Sequence, residues 1–278
     1  MTWLPDRLLD HLRRVTEEPD LSGTRYELEQ EIGRGGMGVV YRARDTQLDR
    51  LVALKVIEAG PMDEPRTLAR LEHPGLVPVY DTGCLPDGRV YYAMRLVEGK
   101  RLDEFLRIEA ALPARLRIFE KICEAVAFAH DRGVVHCDLK PQNIMTGAFG
   151  EVFVMDWGIA NNVLPAAGTP HYRCPEATHT PQSDVFSLGR ILQDLGPLPR
   201  PLVAVAARAT ASAPDARYPA VQELAADVAR FLDGLPVTAY RESPGERAVR
   251  FCRRNQVLLL LLATYLVVKF AIFFLFRR

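Results

Sequence analysis

Val135-His136-Cys137-Asp138-Leu139-Lys140-Pro141-Gln142-Asn143-Ile144-Met145 is the stretch of this 278-residue sequence on which its reading turns. An acid, an ammonium and a carboxamide fall within six residues. The chain has only five lysines against thirty arginines, so a position that keeps lysine is a candidate for needing it. Lys140 is one such position. Downstream, the apolar run Val152-Phe153-Val154-Met155 reads as a strand and leads into Asp156-Trp157-Gly158. Upstream, from about Arg101, apolar residues recur at helical spacing, as in Leu116, Ile118, Phe119, Ile122 and Val126. Earlier still, Tyr26 to about Val56 suits strands, with glycine turns and alternating Val, Leu and Ile. Strands first and helices later predict an α+β domain of two lobes.

The strand region opens on Ile32-Gly33-Arg34-Gly35-Gly36-Met37-Gly38-Val39-Val40. Gly33, Gly35 and Gly38 fit GxGxxG, a pattern that turns and dinucleotide sites also use. A dinucleotide site needs a helix next, and Val39-Val40-Tyr41-Arg42-Ala43 reads as a strand. A glycine-rich hairpin whose backbone N–H groups lie over phosphates fits better. Seventeen residues after Gly38 stands Lys55, in Val52-Ala53-Leu54-Lys55, the second scarce lysine of interest. A compact ammonium suits α- and β-phosphates as a point charge, where an arginine fork is larger.

These motifs, in this order, resemble the bacterial, eukaryotic-like serine/threonine protein kinase family. The stretch around Asp138 resembles H-R-D-x-K-P-x-N with Cys137 for Arg, and Asp156-Trp157-Gly158 resembles D-F-G with Trp for Phe. Gly168-Thr169-Pro170-His171-Tyr172-Arg173-Cys174-Pro175-Glu176 resembles G-T-P-x-Y-x-A-P-E. The resemblance covers residues 26–234 and implies a two-lobed kinase fold, ATP with Mg²⁺ (or Mn²⁺), and a protein substrate bearing Ser or Thr. It implies that Asp138 accepts the substrate hydroxyl's proton and that Lys140 neutralises the moving γ-phosphate. Asn143 and Asp156 would hold metal, Lys55 would grip phosphates, Glu64 would pair with Lys55, and Thr169 would position Asp138 and Lys140. Ile32, Gly33, Gly35, Gly36, Gly38, Val40, Ala53, Met94, Leu96 and Met145 would surround the nucleotide. Glu176 would pair with Arg217, and Asp184 would anchor the catalytic-loop backbone.

The sequence departs from the family pattern in three places. Glu64 lies only nine residues after Lys55, about half the usual gap, with Asp63 as N-cap and Pro65 in the first turn of a short helix. After Leu195 the chain passes through Gly196-Pro197-Leu198-Pro199 almost directly to Leu202, with no room for the usual substrate-docking helix. Cys137 replaces the arginine that pairs with an activation-segment phosphate, and Trp157 to Ala167 holds no Ser, Thr or Tyr. The expectation is an enzyme not switched by phosphorylation of that loop.

At the other end, Val257 to Phe276 is a twenty-residue apolar run with Lys269 as its only charge. As a helix it has the length of a bilayer core at ~1.5 Å per residue. Lys269 costs ~2.5–3.5 kcal/mol at mid-bilayer. Some fifteen Leu, Ile, Phe and Val, each worth ~0.3–0.6 kcal/mol, outweigh it. Lys269 either snorkels outward or faces a partner helix, in a homodimer or with another membrane protein. Arg241, Arg247, Arg250, Arg253 and Arg254 precede the run and only Arg277 and Arg278 follow, which places the kinase domain in the cytoplasm.

The expected organisation is an extension (1–25), a kinase domain (26–236), a basic juxtamembrane segment (237–256) and a transmembrane helix (257–276), in a bacterial inner membrane. Within the extension, Trp3 to Val15 reads as an amphipathic surface helix. It is charged throughout and lacks the apolar core of a signal peptide. Thirty-five basic and thirty-five acidic residues cancel, so no nucleic-acid partner is expected. The five cysteines have no CxxC spacing and suit reduced thiols. Two rival readings stay open: a nucleotide-binding pseudokinase scaffold at the membrane, and an adaptor acting through its arginine-rich juxtamembrane stretch.

Overall fold

The computed structural model describes residues 18–35, 38–57, 69–108, 111–157, 170–176 and 179–275. The first lobe is a five-stranded antiparallel sheet. Its strands are β1 (Tyr26–Gly35), β2 (Gly38–Asp45), β3 (Arg50–Ile57), β4 (Val79–Cys84) and β5 (Val90–Arg95), in the order β1-β2-β3-β5-β4. Alternation sorts their side chains onto two faces. Val39, Tyr41, Ala43, Val52, Leu54, Val56 and Ala93 pack together on one face. Ala53, Tyr92 and Met94 pack on the other, with Val40, Leu96 and Val79 against them. The central strand β3 is buried on both faces from Val52 to Val56, and this buries Lys55 to 2% exposure on the second.

A small second sheet of β6 (Gly99–Arg101), β7 (Ile144–Gly147) and β8 (Val152–Val154) begins the helical lobe. A parallel bridge between Leu76 and Val154, with the Val154 amide on the Gly75 carbonyl at 2.9 Å, ties the two lobes. The helices are α1 (Leu102–Phe105), α2 (Leu112–His130), α3 (Pro181–Asp194), α4 (Arg200–Ala209) and α5 (Val221–Leu232). Leu116, Phe119, Ile122 and Val126 of α2 meet Val185, Leu188 and Ile191 of α3, Leu202 and Val205 of α4, and Leu224 and Val228 of α5 in one core. Helix α3 ends at Asp194 and α4 begins at Arg200, with no helix between them, as the sequence anticipates. Arg115 closes that corner by donating to the Leu195 carbonyl at 2.6 Å.

After α5 the chain stays tied to the lobe. Asp227, 1% exposed, accepts from the Thr238 amide at 2.7 Å, the Thr238 hydroxyl at 2.7 Å and the Tyr218 hydroxyl at 2.8 Å. Two further helices follow, α6 (Pro244–Arg254) and α7 (Gln256–Leu275). Among the described residues no single helix is long and apolar enough to cross a membrane. Pro244–Cys252 and Gln256–Phe270, bent by 77° at their junction, together meet the length and composition needed. The predicted helix of Trp3 to Val15 lies outside the described residues.

Candidate active site

The quoted stretch forms a loop whose shape is set by buried partners on α3. Asp184, fully buried, accepts from the amides of His136 at 2.8 Å and Cys137 at 3.0 Å, and from His130 Nε2 at 2.8 Å. The sequence anticipated this aspartate's anchoring role. It missed His130, which sits in the last turn of α2 with no local motif to announce it. Cys137 takes φ +69°, a conformation costing a non-glycine residue ~1–3 kcal/mol, so the two amide bonds to Asp184 hold a strained loop. Next to it, His136 Nδ1 accepts from the Asp138 amide at 3.3 Å while Nε2 donates to the Met155 carbonyl at 2.9 Å. Only the neutral imidazole can do both. Burial holds its pKa below the ordinary 6.5, which keeps it neutral.

The reactive groups then converge. Pro141 starts a 3₁₀ turn, Pro141–Asn143, that brings Asn143 back under Asp138. Asn143 Nδ2 donates to the Asp138 carbonyl at 2.9 Å and to its carboxylate at 3.3 Å. Lys140 Nζ donates to Asp138 Oδ2 at 2.6 Å. From the facing lobe, Lys55 Nζ reaches Asp156 Oδ1 at 3.2 Å, joining residues 101 positions apart. Asp156 has φ +53°, a region that Asp tolerates better than most residues, and its carboxylate faces the cleft at 39% exposure. Trp157 is 2% exposed, donates Nε1–H to the Val154 carbonyl at 3.1 Å and lies 4.7 Å from the His136 ring. The indole thus fills an apolar slot behind the site, where Leu71, Leu76, Tyr92 and Met94 line a small cavity beside it.

Of the residues expected to surround the nucleotide, Val40, Ala53, Met94 and Leu96 gather on one face of the first lobe. Val40 lies opposite Lys55 in the β2–β3 register, and Ala53 lies opposite Met94 in β3–β5. Val40, Ala53, Met94 and Leu96 share one apolar cluster. Ile32, on β1, is 46% exposed, and Met145 on β7 is half-buried. In the glycine hairpin, Gly35 pairs with Gly38. Gly38 has φ +122°, and a Cβ there would stand 2.1 Å from the Val56 carbonyl oxygen, so only glycine fits. A Cβ on Gly35 would meet open space. That glycine is therefore not required by the fold itself.

A hard divalent cation fits the donor set of Asn143 and Asp156. With Nδ2 engaged by Asp138, the Asn143 carboxamide oxygen is left as a neutral oxygen donor, and Asp156 adds a carboxylate. No group of three or more His, Cys, Asp or Glu able to hold a metal occurs among the described residues. Two oxygen ligands suit Mg²⁺, which keeps waters and phosphate oxygens for the rest of its shell. Gly36, Glu64 and Thr169, and with them the proposed Lys55–Glu64 pair, lie outside the described residues. Glu176 is described, and the Arg217 fork grips it at 2.6 and 2.7 Å.

A β-sheet lobe over a helical lobe, with lysine, aspartate and asparagine meeting in the cleft, defines a kinase-type phosphotransferase fold. The protein kinase domain profile matches residues 26–232, and the chain belongs to that family, in its bacterial eukaryotic-like serine/threonine branch. It is 33% identical to serine/threonine-protein kinase PknD of Chlamydia felis, over 76% of this chain and 31% of that protein. It is 36% identical to PknD of Chlamydia muridarum, over 62% of this chain and 24% of that protein. It is also 33% identical to the probable serine/threonine-protein kinase SCO3848 of Streptomyces coelicolor, over 80% and 42%. The chain spans about a third of the length of the curated relatives it matches. The first of these alignments runs over 294 positions yet draws on only 76% of a 278-residue chain, so the relative holds many residues that this chain lacks.

Proposed function

We propose that this chain transfers the γ-phosphate of ATP to Ser or Thr of protein substrates, itself included, at the cytoplasmic face of a bacterial inner membrane. The convergence of Lys55, Asp138, Lys140, Asn143 and Asp156 carries the reading. Val40, Ala53, Met94, Leu96, Ile32 and Met145 would enclose the adenine, and the hairpin amides from Gly33 to Gly38 would cover the phosphates. Lys55 would hold the α- and β-phosphates and keep Asp156 oriented through its 3.2 Å contact. Asn143 and Asp156 would hold Mg²⁺, which when bound neutralises charge on the β- and γ-phosphates. As a substrate hydroxyl forms its new O–P bond, its proton passes to Asp138 and the bond from the γ-phosphorus to the bridging oxygen breaks, releasing ADP. Lys140, which donates to Asp138 at 2.6 Å, would neutralise the γ-phosphoryl oxygens.

Burial pushes the Cys137 thiol up to about 12, so it is uncharged at neutral pH and offers a loop phosphate no cation. That supports activity independent of loop phosphorylation. The membrane placement rests on α7, whose Val257, Leu260, Leu261, Tyr265 and Phe270 are all exposed around an apolar helix. A helix apolar all round needs a nonaqueous surrounding. Arginines on its N-terminal flank orient it with the catalytic lobes inside. The test is label transfer from γ-labelled ATP with Mg²⁺ by the full chain in lipid nanodiscs, beside Asp156→Ala. Labelled phosphoserine or phosphothreonine from the native chain alone supports the reading. Nucleotide binding with no transfer to itself or to a basic protein would favour a scaffold instead.

A further inference from the structure

Helix α6 takes no part in the kinase site, yet it is built with care. Ser243 and Glu246 form a reciprocal cap, the Glu246 carboxylate accepting from the Ser243 amide at 2.8 Å. The Tyr240 hydroxyl donates to Glu246 at 2.8 Å, and Arg250 is clamped on Glu242 at 2.7 and 2.8 Å, so the helix starts from a fixed point beside the lobe. Steps of 100° set Ala248, Val249, Phe251 and Cys252 on one side and Glu246, Arg247, Arg250 and Arg254 on the other. The apolar side is uncovered, with Val249 54% and Phe251 59% exposed. Arg247 and Arg254 form no ion pair with any described residue within 4 Å. At its end the chain turns 77° into α7. With α7 along the bilayer normal, that angle lays α6 nearly parallel to the surface.

We infer that α6 docks in the plane of an anionic lipid surface, its apolar side sunk among the acyl chains and its arginines on the headgroups. This rests on the reading of α7 as a membrane anchor. Charge complementarity selects lipid over a second copy of the chain, because a symmetric pairing of this face would bring arginine rows side by side. Each arginine near an anionic surface favours docking by about fivefold. The test uses the full chain with Cys84→Ser, carrying a fluorophore on Cys252, in nanodiscs of phosphatidylcholine with or without phosphatidylglycerol. A Cys84→Ser, Cys252→Ser form is the labelling blank. With anionic lipid, quenching by aqueous iodide should fall at least about fivefold relative to neutral discs, and Arg247→Glu with Arg254→Glu should restore it. A second label at Thr264→Cys, in the blank background, reports the anchor itself. Equal iodide access at Cys252 in both lipids, with the Thr264 position protected, overturns this inference and leaves the anchor standing. Iodide access at both positions overturns the two together. Protection at Cys252 in both lipids, with Cys252–Cys252 crosslinking of the unlabelled Cys84→Ser chain on oxidation, would show a second copy on this face and overturn lipid docking.

Discussion

Replacing Asp184 by Asn keeps the shape of the side chain and removes its charge. In the native chain three donors converge on this fully buried carboxylate, the His136 and Cys137 amides and His130 Nε2. The carboxamide has one acceptor oxygen, so at least one donor faces an NH₂ group, an orphaned buried donor costing ~1–3 kcal/mol. The other two bonds lose charge assistance, roughly half their strength, or ~1 kcal/mol each. The sum is ~3–5 kcal/mol. At ~2–4 °C per kcal/mol for a domain of this size, Tm should fall by roughly 6–20 °C. Below the transition, the loop that carries Asp138 is no longer pinned. Phosphotransfer by the folded protein should therefore drop more than tenfold, while Kd for ATP, assigned in the proposal mainly to the other lobe, should change less than threefold. Thermal unfolding by circular dichroism and a nucleotide titration check both halves. A Tm within ~2 °C of native, or equal losses of turnover and ATP affinity, would show that Asp184 does not hold the loop.

The Arg217–Glu176 pair should show strong coupling. Glu176→Gln alone strands a guanidinium whose side chain is fully buried and should cost ~3 kcal/mol in urea denaturation, whereas Glu176→Met with Arg217→Met should cost clearly less than the two single changes summed. The native pair also makes stability acid-sensitive. Bonding to Arg217 holds the Glu176 pKa below 4.5, so its contribution is present above that value and fades as pH falls through the folded pKa. His136 acts in a higher window. Its folded pKa is depressed below 6.5 by burial, so the unfolded chain binds the extra proton and stability declines as pH drops from about 6.5 toward the folded value, a slope that His136→Gln should flatten in a Tm-versus-pH series. Gly38→Ala, forced against the Val56 carbonyl, should weaken ATP binding at least fivefold while Gly35→Ala, facing open space, should leave the hairpin intact. Nucleotide titration with Tm as the folding control separates these two.

Most of the site was legible because its chemistry is local in sequence. Asp138, Lys140 and Asn143 fall within six residues, and the turn begun by Pro141 folds them onto one another. The Arg217–Glu176 and Asp184 contacts were also anticipated, since motif positions name both partners. The strand alternation of Val39, Tyr41 and Ala43 and the helical spacing of Leu116, Phe119, Ile122 and Val126 are plain periodicities, and both appear as buried faces. Long-range partners without a motif were hidden. Nothing near His130 marks it as a donor to Asp184, and nothing near Thr238 ties it to Asp227. The left-handed backbone of Cys137 and Asp156 was equally unreadable, because neither is glycine and each is held there by its surroundings. In the sequence the tail is an apolar run with a basic flank. The sorting of that flank into two faces shows only once its helix and the 77° turn are in view.

In the proposed transfer, Asp138 is the proton acceptor. Asp138→Asn removes the acceptor and keeps the hydrogen-bonding outline toward Asn143. The direct measurement is single-turnover label transfer from γ-labelled ATP by the full chain, with nucleotide affinity measured in parallel. Asp138→Asn should bind Mg²⁺-ATP within about threefold of the native chain and transfer phosphate ~10²–10⁴-fold more slowly. Transfer at the native rate by Asp138→Asn would contradict that role.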